Sequence, residues 1–192
     1  MERIDAAQAR DHIEMVDRIL AESHPRLCAG GDFFVVWGVA SAYITVLFHL
    51  VDIGMFAARA LWSVPIVLAA AALYSVLRAR SLNRRIARTS LVQREFFNVL
   101  WLTLGVTFVA NVAAFRIFTG IAQAALWSIA EAIVLLYIAM HGNRRAQIAG
   151  VLVVVSLVAA NFVAPDRTAY VLAAGMLAGY AGFGISELLA AE

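Results

Sequence analysis

The sequence contains no lysine; all fifteen of its Lys+Arg residues are arginine. It has one cysteine, Cys28, three prolines, and only 15% charged residues. Each shortage removes a class of protein. With a single cysteine no intramolecular disulfide can form, so a small disulfide-stapled scaffold is excluded. Low charge and little proline exclude a disordered or collagen-like chain. Soluble domains are about half apolar and about a quarter charged. This chain is 63% hydrophobic with a mean hydropathy of +0.83. A globule of this length cannot hide that much apolar surface from water. Most of its solvent is therefore lipid.

What the sequence has is long charge-poor runs. A hydrocarbon core about 30 Å thick takes roughly 20 apolar residues per helix. Six runs reach that length: 33–51, 54–77, 96–115, 117–140, 146–164 and 168–186. Only a few residues separate the first from the second, the third from the fourth and the fifth from the sixth. Each pair reads as a tight helical hairpin. Inside lipid every backbone amide must be satisfied within its own segment, which selects helices; the alternation of an outer-membrane barrel is absent. The expected class is an all-α membrane protein, with residues 1–31 as a cytoplasmic helix and linker and 32–192 as a six-helix transmembrane domain.

Arginine sets the orientation. Four arginines precede the first run, six lie between the second and third, and Arg144 and Arg145 lie between the fourth and fifth. Only Arg59, Arg116 and Arg167 fall on the other side. The positive-inside rule places both termini in the cytoplasm of a multi-pass protein. Arginine without lysine is associated with GC-rich bacterial genomes, which points to a bacterial inner membrane. About thirty polar residues come before the first apolar run, so a cleavable signal peptide is not expected.

Short patterns recur along the chain. Phe33-Phe34-Val35-Val36-Trp37 returns as Phe97-Asn98-Val99-Leu100-Trp101, and Ala60-Leu61-Trp62-Ser63 returns as Ala125-Leu126-Trp127-Ser128. Asn111 and Asn161 sit in similar surroundings near the ends of the third and fifth runs. These matches predict three hairpin repeats in parallel orientation, unlike the inverted repeats of many secondary transporters.

Outside the apolar runs, two segments face the cytoplasm. Ala9, Ile13, Val16 and Leu20 share one face of a predicted amphipathic helix over about 5–23, ended before Pro25. Residues 1–27 carry four arginines and six acids, whereas 78–95 carry six arginines and one acid. The basic segment, with Arg78, Arg80, Arg84, Arg85, Arg88 and Arg94, favours anionic headgroups by about 1 kcal/mol per residue near the surface. The acidic helix either caps its own bundle or docks a cytoplasmic protein partner through residues 1–27. Nothing resembles a nucleic-acid-binding motif.

At depth the polar groups are few. Glu131 is the one acid well inside an apolar run. A charge at the bilayer centre costs about 2.5–3.5 kcal/mol on insertion scales, so Glu131 faces the bundle interior, stays protonated, or both. Counted from the outer ends of the helices, Thr107, Ser41, Tyr43, Ser63 and Pro65 fall in its layer, and Ser128 lies on its face. The layer is either a protonatable site or interhelical glue, with Glu131 bonded to Thr107 or Ser41. Pro65 predicts a kink in the second span. His49 and His141 end their helices at opposite faces and cannot share one iron, so no metal or cofactor is expected. No catalytic constellation is present, so an enzyme is not expected. In the last span Gly175, Gly179, Gly182 and Gly184, with Ala174 and Ala178, give small-residue spacing for close helix packing within the bundle, or in a homodimer.

The charged N-terminal helix leading into Phe33-x-x-x-Trp37-Gly38 resembles a group of small bacterial polytopic inner-membrane proteins. The three-hairpin plan is similar in architecture to the HdeD-like six-span proteins associated with acid stress. These resemblances imply a bacterial inner-membrane location and transfer no site residue. Two functions are expected. The first is an accessory or regulatory membrane protein with a cytoplasmic interaction surface. The second is a small transporter or channel with a protonatable site at Glu131.

Overall fold

The computed structural model describes residues 14–15, 30–85, 91–113 and 120–190, with side chains described for all of these except 82–85 and 91–97. Among the described residues the chain has six long helices and no strand. They are α1 (Gly31–Asp52), α2 (Ser63–Arg85), α3 (Leu91–Ala113), α4 (Ile121–Met140), α5 (Arg144–Ala159) and α6 (Pro165–Ala190). A 3₁₀ turn, Ala58–Trp62, leads into α2. Four stretches are long and apolar enough to cross a membrane: α1, Ala58–Ser81, α4 and α6. In α3 the apolar part is the shorter Asn98–Ala113, and α5 has only 16 residues. The predicted amphipathic helix lies outside the described residues apart from Glu14 and Met15. So do Cys28, Arg88 and Arg116, and the side chains of Arg84, Arg85 and Arg94.

Several boundaries differ from expectation, each for a local reason. The stretch 54–57 is a turn, with Gly54 at φ +75°, and the second helical run begins only at Ala58. Pro65 therefore sits in the first turn of α2, where its missing N–H would have had no partner in the helix. Ser63, two residues earlier, is the first residue of α2. The arginine segment is largely helical: α2 continues to Arg85 and α3 starts at Leu91, since no glycine or proline interrupts that stretch. Helix α5 ends at Ala159, five residues before the expected limit, and Pro165 then opens α6 at its first position.

Helices consecutive in the chain run antiparallel, and α4 and α6, which also touch, run parallel. Helix α6 lies between α1 and α5, and α4 pairs with α5 along its length. These four enclose the core of Phe34, Val134, Leu135, Ile138, Val153, Tyr180 and Phe183, with the Phe34 ring edge-on to both Tyr180 and Phe183. Glycine makes the contact close. A Cβ on Gly38 would stand 2.6 Å from the backbone nitrogen of Ala181, and one on Gly184 would stand 2.3 Å from the carbonyl oxygen of Gly31. Helices α2 and α3 are attached outside, α2 chiefly along α1 and α3 along α4.

The expected glycine face is only partly realised. Gly175 and Gly179 do meet a neighbour, α5, at Ser156 and Val153. Gly182 meets only Leu177 of its own helix, and Gly184 takes the contact instead. The reason is that α6 is interrupted by a π-helical segment, Met176–Ala181, between α-helical Pro165–Gly175 and Gly182–Ala190. The wider turn rotates the C-terminal part of the helix, so the small-residue spacing does not continue on one face. Gly175 and Gly179 are covered by α5 and Gly184 by α1. A homodimer along those glycines would have to displace a helix of the same chain.

Candidate functional site

Three of the core helices each bring a polar group to mid-length. Glu131 is eleven residues from Gly120, the N-cap of α4, or roughly 16 Å along the axis. It is buried, with 6% of its surface exposed. From α1 the Ser41 hydroxyl stands beside its carboxyl. From the π-helical segment of α6 the Tyr180 phenol lies within electrostatic reach. The second carboxyl oxygen, Oε2, is buried with no hydrogen-bond partner. One turn before Glu131, Ser128 is fully buried and donates to the Ala124 carbonyl of its own helix at 3.0 Å.

The remaining members of the predicted layer are elsewhere. Tyr43 and Ser63 hydrogen-bond each other at 2.8 Å on the exposed side, where α1 meets the start of α2. Among the described side chains of α3 only Thr107 is buried, and no described hydrogen bond joins it to Glu131. Ser41 and Ser128 are the two of the predicted set that accompany Glu131. Tyr180 was missed, and so was the π-helical turn that carries it. A signal existed in the run Gly175 to Gly184, whose four glycines lower the cost of leaving regular α-helix.

Polar pairs also gather at the end of the bundle where α1 begins. Asp32 is paired with Arg78 and accepts from the Tyr74 hydroxyl at 2.7 Å, tying α2 to α1. Glu187, 4% exposed, accepts from the Asn143 amide at 3.3 Å and lies 3.6 Å from Arg145. Asn143 also caps α5, its Oδ1 accepting from the Ala146 N–H. Arg78 is thus committed within the chain rather than free on a basic surface, while Arg80, Arg144 and Arg145 are exposed at this end. Among the described residues no three His, Cys, Asp or Glu side chains converge as a metal site. His141 bonds the Tyr137 carbonyl through Nδ1 at the same end, while His49 is at the opposite one.

No protein-family model, curated protein or solved structure matches this chain. The chemistry must be read from the site itself. A carboxyl with an unpartnered oxygen in an apolar interior can bind and release a proton.

Proposed function

We propose that the chain is a six-span protein of the bacterial inner membrane, built as three hairpins with both termini cytoplasmic, that exchanges a proton at mid-depth as a small transporter or channel. The observation that carries this is Glu131, buried between α1, α4 and α6 with Oε2 unpartnered. A purely structural carboxyl would gain more by having both oxygens bonded. The π-helical turn facing it adds support, since such turns are frequent at functional sites. The test is proton flux into liposomes holding the purified protein and a trapped pH-sensitive dye. Flux is expected to depend on external pH and to be abolished in Glu131→Gln, which keeps the size of the side chain and removes its titration. Flux that is equal in parent and variant, or absent from the parent, would end this reading.

A second reading, an accessory protein with a cytoplasmic interaction surface, is favoured by the charge at the α1 end. Asp32 and Glu187 are turned into internal pairs with Arg78 and Arg145, leaving Arg80 and Arg144 outward. Under it, deleting residues 1–27 abolishes capture of a specific cytoplasmic protein and Glu131→Gln does not. The three-hairpin repeat has one local parallel in its favour. The amides of Asn111 and Asn161 each donate to the carbonyl four residues earlier, at 3.2 and 2.9 Å.

A further inference from the structure

Glu131 lies at the inner end of a polar seam that runs between α1 and α6 toward the Asp52 end of the bundle. On α1, Ser41, Thr45 and His49 recur every four residues and so share one face. Eight residues of helix separate Ser41 from His49, roughly 12 Å. Thr45 and His49 are more than nine-tenths buried, at 5% and 6% exposure. The Thr45 hydroxyl donates to the Ser41 carbonyl at 2.8 Å and lies 3.5 Å from the Sδ of Met176, the first residue of the π-helical segment. At the end of the row, His49 Nε2 is buried without a hydrogen-bond partner. Its ring meets Tyr170 edge-on, with centroids 5.3 Å apart. Tyr170 is itself 45% exposed. Leaving a buried nitrogen unbonded costs stability that an apolar residue at position 49 would not.

We propose that His49 is a proton relay, taking a proton from water at the Asp52 end and passing it along the seam to Glu131. This rests on the reading of Glu131 as a proton-exchanging group. Imidazole suits the role because it accepts at one ring nitrogen and releases from the other. The proton leaves a water-borne acid, resides on His49 as imidazolium and ends on the Glu131 carboxylate. No covalent bond to carbon changes and no redox partner is required. The hydroxyls of Thr45 and Ser41 line the interval, which one or two bridging waters would complete. Opposite them lies the π-helical turn, the least regular part of α6 and the wall best able to yield. The groups facing the relay are few. Tyr170 touches the ring from α6, and Asp52 comes one turn later on α1. Arg59 of the 3₁₀ turn and the Asp166–Arg167 pair of α6 are exposed at the same end. Among the described residues no charged side chain is buried between His49 and Glu131.

Two measurements on the full chain test this. In dye-loaded liposomes His49→Gln should slow acid-driven proton uptake roughly a hundredfold, and His49→Glu, which restores a titratable group, should recover part of the rate. An unchanged rate in His49→Gln with loss in Glu131→Gln removes the relay and leaves the Glu131 reading standing. A parent without flux removes both. The second measurement uses the single cysteine. On a Cys28→Ser background, Thr45→Cys should react with a small charged thiol reagent added in water, faster than Leu47→Cys, which is equally buried on the other side of α1. Equal or absent labelling at the two positions overturns the seam. This comparison decides the matter even where a His49 variant fails to fold.

Discussion

Two regions of the molecule obey different rules although their sequences look alike. Helices α1, α4, α5 and α6 close on one another, while α2 and α3 lie along the outside. In α6 56% of the span-length window is buried, and in Ala58–Ser81 only 6%. Apolarity does not predict this, since the outer stretch is the more apolar of the two. In lipid, apolarity does not drive one helix against another, because hydrocarbon tails are as apolar as leucine. What separates core from flank is the ability to approach. Helix α6 offers Gly175, Gly179 and Gly184 to its neighbours. By contrast α3 presents Trp101, Leu102, Val106, Phe108 and Val109 outward, and a Cβ on its Gly105 would meet nothing within 4 Å.

The comparison is sharpest for leucine. Leu135→Ala in α4, at a position with no exposed surface, should cost about 2–5 kcal/mol in a reversible unfolding measurement in detergent. Leu102→Ala in α3, 67% exposed, should stay within about 0.5 kcal/mol of the parent. Similar losses at both positions would mean that α3 is covered in the working protein. Glycine gives the next largest contrast. Gly38→Ala forces the α1 and α6 backbones apart and should cost about 1–3 kcal/mol. Gly105→Ala should be neutral or stabilise by up to about 1 kcal/mol through helix propensity. A loss at Gly105 equal to that at Gly38 would break the division. The smallest effect concerns the link between the regions. The Trp37 indole donates to Ser75 at 3.0 Å across α1 and α2. Trp37→Phe should cost about 0.5–1.5 kcal/mol and raise hydrogen exchange in α2 while leaving α4 and α5 unchanged.

Much of this architecture is legible in the sequence. The length and apolarity of the runs lead to an all-helical chain. The solitary acid leads to Glu131 at mid-depth, with Ser41 as one of two named partners. The rest depends on information that a one-dimensional pattern does not hold. Hydropathy reads a lipid-facing helix and a buried one alike, so the peripheral standing of α2 and α3 is hidden. Counting residues from a helix end measures depth but not rotation about the axis, which is why Tyr43 and Ser63 group with a site they do not reach. The change from a 3₁₀ turn to α-helix just before Pro65 is not visible in an uninterrupted apolar run. The π-helical turn adds no residue type that regular helix lacks, and it redirects Gly182 and Tyr180 together. Glu187 and Asn143, 44 positions apart, carry no mutual signal until α5 and α6 are side by side.

The central place of α6 has a bearing on biosynthesis. During translation α1 leaves the ribosome long before α6, yet α6 is the helix that covers its Gly38 face and its row of Ser41, Thr45 and His49. Until then the nascent hairpin of α1 and α2 must hold those groups against lipid or the insertion machinery. The face of α1 therefore stays open until the last segment has been made, although α4 and α5 can already pair. A ribosome stalled before Pro165 would leave a product with that polar row uncovered, a ready substrate for membrane quality-control proteases.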